Sequence, residues 1–146
     1  MKLCFIADAG SVHTQKWVNY LARNGHEVHI ISFRIGGGYF AGVRLHKLPT
    51  VLPQVRAVSR YINWLLWFIQ VRRLVRSVKP DVIDAHYITT YGYIAVSSGF
   101  HPLVLTAWGS DILIEAKVSR LQRFFTKYAL KRAEAVICDS QLINSE

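Results

Sequence analysis

The fold is decided by one stretch near the start of the chain. It comprises Leu3-Cys4-Phe5-Ile6-Ala7, the loop Asp8-Ala9-Gly10-Ser11, the segment Thr14–Arg23, the stop Asn24-Gly25, and the run Glu27-Val28-His29-Ile30-Ile31-Ser32-Phe33. Leu3–Ala7 is apolar without interruption and too short for a helix, so it reads as a buried strand. Thr14–Arg23 sets Trp17, Val18 and Leu21 at helical spacing, and Gly25 ends it in the manner of a glycine C-cap. Glu27–Phe33, rich in Val and Ile, reads as a second strand. Strand, helix and strand with short connections make a βαβ unit, with parallel strands and a right-handed crossover.

The same alternation runs outward from this unit. Gly36-Gly37-Gly38 breaks the pattern, and Val43–Lys47 reads as a short strand before Pro49 and Pro53. A long helix is predicted from about Ser59 to Val78, closed by Lys79-Pro80. Val82–His86 is the next strand, Tyr91–Ser98 a short helix, Leu103–Trp108 a strand, Leu121–Arg132 a basic helix, and Ala135–Asp139 a last strand. Ser140 reads as the N-cap of a further helix. Strands that are apolar throughout, rather than alternating, are covered on both faces. The prediction is therefore an α/β fold: a Rossmann-like, doubly wound, mainly parallel sheet with helices on both faces. A length of 146 residues suits one compact domain spanning 1–146. The end at Glu146, in the first turn of a predicted helix, leads us to expect a piece of a larger protein.

Hydrophobic residues make up 51% and charged residues 18%, which argues for a globular chain and against disorder. The formal net charge of +9 calls for an acidic partner or surface. Anionic lipid and phosphorylated substrates fit that sign; nucleic acid fits it too, but no recognised nucleic-acid motif accompanies the charge. Cys4 and Cys138 lie in apolar runs and read as buried free thiols, which favours a reducing, cytoplasmic setting. Asp8 interrupts the opening apolar run too early for a signal peptide. The stretch Tyr61–Val71 falls well short of the ~20 residues that span a bilayer.

In open parallel sheets, ligands bind outside the carboxyl ends of the strands. That rule selects Asp8, Gly10, Ser11 and His13 after the first strand, and Asp84 and His86 on the fourth. It also selects Thr106, Trp108, Gly109, Ser110 and Asp111 on and after the fifth, and Asp139 and Ser140 after the last. The Gly10-Ser11 loop lacks the full G-x-G-x-x-G fingerprint but can offer backbone N–H groups and a helix N-terminus to a phosphate. A tight turn alone would account for it equally well. His13 and His86 stand where an imidazole can hydrogen-bond a sugar or move a proton. His26 and His29 read as structural, and His46 and His101 have no partner nearby in sequence. No Cys/His/Asp spacing supports a metal site. Gly109 lets the chain turn sharply off its strand. Trp108 is a core residue or a stacking surface for a sugar ring, and Asp111 a helix cap or a group facing the crevice.

Two basic, aromatic segments supply a second signal. Arg56, Arg60, Arg72, Arg73, Arg76 and Lys79 flank Tyr61, Trp64, Trp67 and Phe68, while Lys117, Arg120, Arg123, Lys127, Lys131 and Arg132 border Phe124, Phe125 and Tyr128. Helices of this kind suit an anionic membrane interface, with a solvated basic face as the alternative.

In this order, the segments resemble the N-terminal domain of the retaining GT-B glycosyltransferases of the family 4 group. The resemblance rests on the opening strand and loop through Ser11-Val12-His13-Thr14-Gln15-Lys16-Trp17, on Leu21-Ala22-Arg23-Asn24-Gly25-His26-Glu27-Val28, and on Lys79-Pro80-Asp81-Val82-Ile83-Asp84-Ala85-His86. It continues through Leu105-Thr106-Ala107-Trp108-Gly109-Ser110-Asp111 and Ala135-Val136-Ile137-Cys138-Asp139-Ser140. It implies an acceptor-binding half facing a second, donor-binding Rossmann-like domain that lies outside this chain. It further implies hexose transfer from a UDP- or GDP-linked sugar with retention, and neither a metal nor another cofactor. The partners implied are the nucleotide-sugar and a glycan or lipid-linked acceptor, with an anionic membrane surface nearby. The expected location is cytoplasmic, peripheral on the inner face of the cell membrane. By position, Gly10 and Ser11 approach the donor phosphate, while His86 and the Trp108–Asp111 turn line the sugar pocket. Many relatives carry His where this chain has Trp108, so that histidine's role does not carry over, and Asp111 or His13 is expected to take part instead. The isolated chain is expected to be inactive. The alternative is a non-catalytic peripheral module that holds a glycan or nucleotide.

Overall fold

The computed structural model describes residues 1–38, 40–49 and 57–138. Arg56, Asp139 and Ser140 lie outside them. Six strands form one sheet: β1 (Lys2–Ile6), β2 (Glu27–Ser32), β3 (Val43–Lys47), β4 (Val82–His86), β5 (Leu103–Ala107) and β6 (Ala135–Cys138). Their order is β3-β2-β1-β4-β5-β6, and every pairing is parallel. The sequence order reverses between β1 and β4, which places the crevice of a doubly wound sheet beyond their carboxyl ends.

Among the described residues, five helices pack on this sheet: α1 (Val12–Arg23), α2 (Ala57–Val78), α3 (Tyr93–Ser97), α4 (Ser110–Leu113) and α5 (Arg120–Leu130). A wide turn at Ile88–Gly92 leads into α3, and a tight one at Glu115–Lys117 joins α4 to α5. α1 begins two residues before the predicted Thr14, because Ser11 caps it: its backbone is extended and its hydroxyl accepts from the His13 amide. Gly25, at φ 81°, closes α1 in the left-handed conformation that favours glycine.

The sheet has two unequal faces. On one, Cys4, Ile6, Ile83, Ala85, Leu103 and Leu105 pack against Trp67, Val71 and Val75 of α2, Ile94 of α3 and Ala129 of α5. On the other, Phe5, Val28 and Ile30 pack against Val18 of α1, with Leu21 and Leu45 closing the edge. Burying a side chain of this size contributes roughly 1.5–3 kcal/mol each, so the first face carries most of the stability.

One expectation needs correction. β6 reads in sequence as a buried strand, yet Val136 and Ile137 are 45% and 41% exposed. The reason is its place at the sheet edge, where β5 is its one strand neighbour among the described residues. Cys138 is half-buried for the same reason, while Cys4 is fully buried as predicted. Burial pushes the Cys4 thiol up to about 12.

Candidate functional site

Period-two alternation sends Ile83 and Ala85 of β4 into the larger core and turns Asp84 and His86 to the other face. There Thr106 Oγ1 donates to Asp84 Oδ1 at 2.9 Å, and His86 Nε2 lies 3.4 Å from Asp84 Oδ2. The His86 ring is 1% exposed, packed edge-on against Phe5 at 5.4 Å and against Trp108 at 5.8 Å. Its Nδ1 is buried with no hydrogen-bond partner. A buried polar atom left unpaired costs free energy, so it marks a place where a ligand group would be welcomed.

Over His86 opens a cleft of about 480 Å³, walled by Asp8, Arg34, Tyr87, Trp108 and Glu115. These residues follow β1, β2, β4 and β5, so the cleft sits at the reversal of strand order, where the topology places it. Asp8 pairs with the exposed Arg34 at 3.6 Å. Glu115 accepts from the Tyr87 hydroxyl and from Thr89 Oγ1. Burial first, and the Glu115 hydrogen bond second, hold the Tyr87 phenol above its ordinary range. Tyr87 has φ 70°, a costly conformation for a non-glycine residue, and the kind that persists where the surroundings over-determine it. Behind the cleft, Phe33 stacks on Trp67 at 4.5 Å and on Tyr91 at 4.6 Å, tying its wall to α2.

Trp108 divides this cleft from a smaller one of about 200 Å³, lined by His13, Trp17, Thr106 and Cys138. His13 is exposed on the first turn of α1, with its ring 5.2 Å from that of Trp108. Ser110 is also exposed, its hydroxyl 3.3 Å from that of Tyr87. Gly109, at φ 94°, makes the turn between Trp108 and α4.

Two expectations about the site change. Asp111 does not face the crevice: it is 0% exposed. Its carboxylate accepts from the amides of Ile88 at 2.8 Å, Trp108 at 3.0 Å and Ile112 at 3.1 Å. Three backbone donors converging on one carboxylate fasten the two loops that carry Tyr87 and Trp108, so Asp111 positions the site. The Gly10 and Ser11 amides are also engaged, donating to Asp8 Oδ1 at 2.8 Å and Asp8 O at 3.1 Å. They are satisfied internally by Asp8. Arg34, Tyr87 and Glu115 were not singled out in sequence. Applying the strand-end rule to β2 and β4 would have found Arg34 and Tyr87; Glu115 returns to the cleft only through the α4 turn.

The glycosyl transferase 4-like family profile matches residues 2–140. The chain is 29% identical over 124 residues to an uncharacterized glycosyltransferase of Methanocaldococcus jannaschii, covering 82% of this chain and 34% of that protein. Its fold is similar to that of sucrose-phosphate synthase from Thermosynechococcus elongatus, with a TM-score of 0.77 at 12% identity, over 99% of this chain and 44% of that one. It is similar also to MurG from Acinetobacter baumannii, with a TM-score of 0.60 at 12% identity, over 94% and 40%. The chain thus spans about a third of the curated relative and under half of each solved structure. Strand order, cleft position and the family match agree: this chain belongs to the glycosyl transferase 4-like family and has the Rossmann-like fold of an N-terminal GT-B domain.

Proposed function

We propose that this chain forms the acceptor-side wall of a glycosyltransferase active site, where a hexose moves from a UDP- or GDP-linked donor to an acceptor hydroxyl with retention. The observation that carries this reading is the cleft at the β1/β4 reversal, floored by a histidine with an unpartnered nitrogen. A sugar hydroxyl bound at the floor would give His86 Nδ1 the partner it lacks. Asp84 and Thr106 hold the ring from the other side. Trp108 offers its face to a sugar ring. It can neither give nor take a proton, and His13, packed against it, supplies an imidazole at that position.

Arg34 is the cation at the cleft rim, and it is the group best placed to meet the donor phosphate from this side. Closure of a donor-binding domain over the cleft would exclude water and strengthen that contact. The membrane-proximal, lipid-linked acceptor fits the basic character of the chain. Alone, the chain is expected to turn over negligibly.

The test is transfer from labelled UDP- and GDP-hexoses by the complete protein. His86→Ala, Arg34→Gln and Glu115→Gln should each lower kcat/KM by about tenfold or more, since a charge-assisted contact is worth roughly 1.5–3 kcal/mol. Circular dichroism should stay unchanged. Wild-type turnover in all three removes the site assignment, and absence of transfer from any donor favours the non-catalytic module. A micromolar isotherm for nucleotide-sugar on this chain alone would contradict the acceptor-side reading.

A further inference from the structure

α5 turns its larger apolar residues outward. Its buried positions are Thr126 and Ala129, while Leu121 and Phe124 are each 64% exposed, with Phe125 and Tyr128 also exposed. These four fall at i, i+3, i+4 and i+7, one stripe on a helix. A helix that served the sheet alone would place such residues inward. The stripe continues backwards through Val118 and Ile114, 70% and 65% exposed on the turn before α5. Beside it, α2, α3 and α5 enclose an open apolar groove of about 430 Å³, lined by Trp64, Phe68, Tyr93, Val96, Phe125 and Tyr128.

Cations border the stripe. The segment Arg120–Arg132 holds Arg120, Arg123, Lys127, Lys131 and Arg132 and no acidic residue. All five are exposed. Among the described residues, none of them makes an ion pair, and Arg132 lies 5.3 Å over the Tyr128 ring. None of the described helices is long and apolar enough to cross a membrane.

We propose that α5 and the turn leading into it form a docking face for an anionic bilayer, with Leu121 and Phe124 entering the interface and Arg123, Lys127 and Lys131 meeting lipid phosphates. An apolar stripe inside a cationic border matches the headgroup–acyl boundary, which offers negative charge above and hydrocarbon beneath. Nucleic acid fits less well, because the aliphatic Ile114, Val118 and Leu121 gain nothing from phosphates and cannot stack as rings do. The turn that carries Val118 also carries Glu115, a wall of the cleft. A docked bilayer therefore lies beside the cleft mouth, where a lipid-linked acceptor would enter. That last consequence rests on the transferase reading; the docking itself does not, because Leu121, Phe124, Arg123, Lys127 and Lys131, the residues placed at the interface, do not line the cleft.

The experiment is co-sedimentation of the protein with phosphatidylcholine vesicles, alone or mixed with phosphatidylglycerol. The mixed vesicles should retain it, and rising salt should release it. Arg123→Gln/Lys127→Gln/Lys131→Gln should weaken partitioning about a hundredfold, each cation near an anionic surface contributing roughly a factor of five. Leu121→Ser/Phe124→Ser should weaken it about tenfold or more. Lys16→Gln/Arg23→Gln/Lys47→Gln removes the same charge from α1 and β3 and should leave binding within about twofold. All these positions are exposed, and circular dichroism checks that the fold persists. Equal retention by neutral vesicles, equal loss in the α1/β3 variant, or transfer of the protein from vesicles to a competing DNA duplex or acidic protein would each overturn the proposal. Transferase activity that survives loss of vesicle binding would leave the cleft assignment standing.

Discussion

Replacing Asp111 is the sharpest test of how this site is held together. Its side chain is 0% exposed, and its two oxygens accept three backbone amides drawn from the β4 and β5 loops. A hydrogen bond to a charged group contributes roughly 1.5–3 kcal/mol, and an orphaned buried donor costs about 1–3 kcal/mol. Three such bonds do not add fully, because the loops relax and admit water, so Asp111→Ala should cost about 4 kcal/mol. Asp111→Asn differs in a way the geometry defines. Its amide oxygen can keep the Trp108 and Ile112 amides, but the NH2 group then faces the Ile88 N–H, donor against donor. One bond is lost, at about 2 kcal/mol. For a chain of this size, about 2–4 °C of Tm accompanies each kcal/mol. The alanine variant should thus melt about 8–16 °C below wild type and the asparagine variant about 4–8 °C below, followed by far-ultraviolet circular dichroism. Tryptophan fluorescence should change in both, since the Trp108 loop is released. An alanine variant within about 1 kcal/mol of wild type, or an asparagine variant worse than alanine, would refute the stapling role.

Three further outcomes follow from other contacts. At Gly36 a Cβ would stand 2.6 Å from the Gly10 Cα, so Gly36→Ala should force the two loops apart and cost about 1–3 kcal/mol by urea titration; unchanged stability would show that the loops do not touch in solution. Thiol titration at pH 8 should find Cys138 reacting quickly and Cys4, buried and pushed up to about 12, reacting only after denaturation; two fast thiols in the native protein would contradict the burial. Stability should fall as pH drops below about 6.5, where burial, first, and the neighbouring His29 hold His46 below that ordinary value. The sign follows because the unfolded chain binds the proton more readily. The Leu103 amide and His101 likewise hold Glu134 below 4.5, so its contribution is present above 4.5 and disappears at lower pH; a Tm that rises on acidification would reverse both assignments.

The strands and helices were legible because local patterns carry them. Uninterrupted apolar runs mark the parallel strands, and Gly25 marks the end of α1 through backbone chemistry that acts within a few residues. The strand-end rule located Asp8, His86 and Trp108 at the cleft, since topology alone sends those positions to one edge. Partners distant in sequence were not legible. His46 has no neighbour of interest along the chain, yet parallel pairing of β2 and β3 stacks it on His29, Nε2 to Nδ1 at 2.8 Å. His101 meets Glu134 at 2.6 Å for the same kind of reason. Glu115 joins Tyr87 across 28 positions of sequence.

The amino-acid order alone determined the sheet, its winding and the edge at which chemistry gathers, because those follow from hydrophobic period and from turns a few residues long. Tertiary packing decided which polar groups at that edge are free to meet a ligand. It engaged the Gly10 and Ser11 amides with Asp8, buried Asp111 beneath three amides, and left Nδ1 of His86 unpaired. Whether a carboxylate stands open or closed depends on donors brought from another strand, and those distances exist only once the chain is folded.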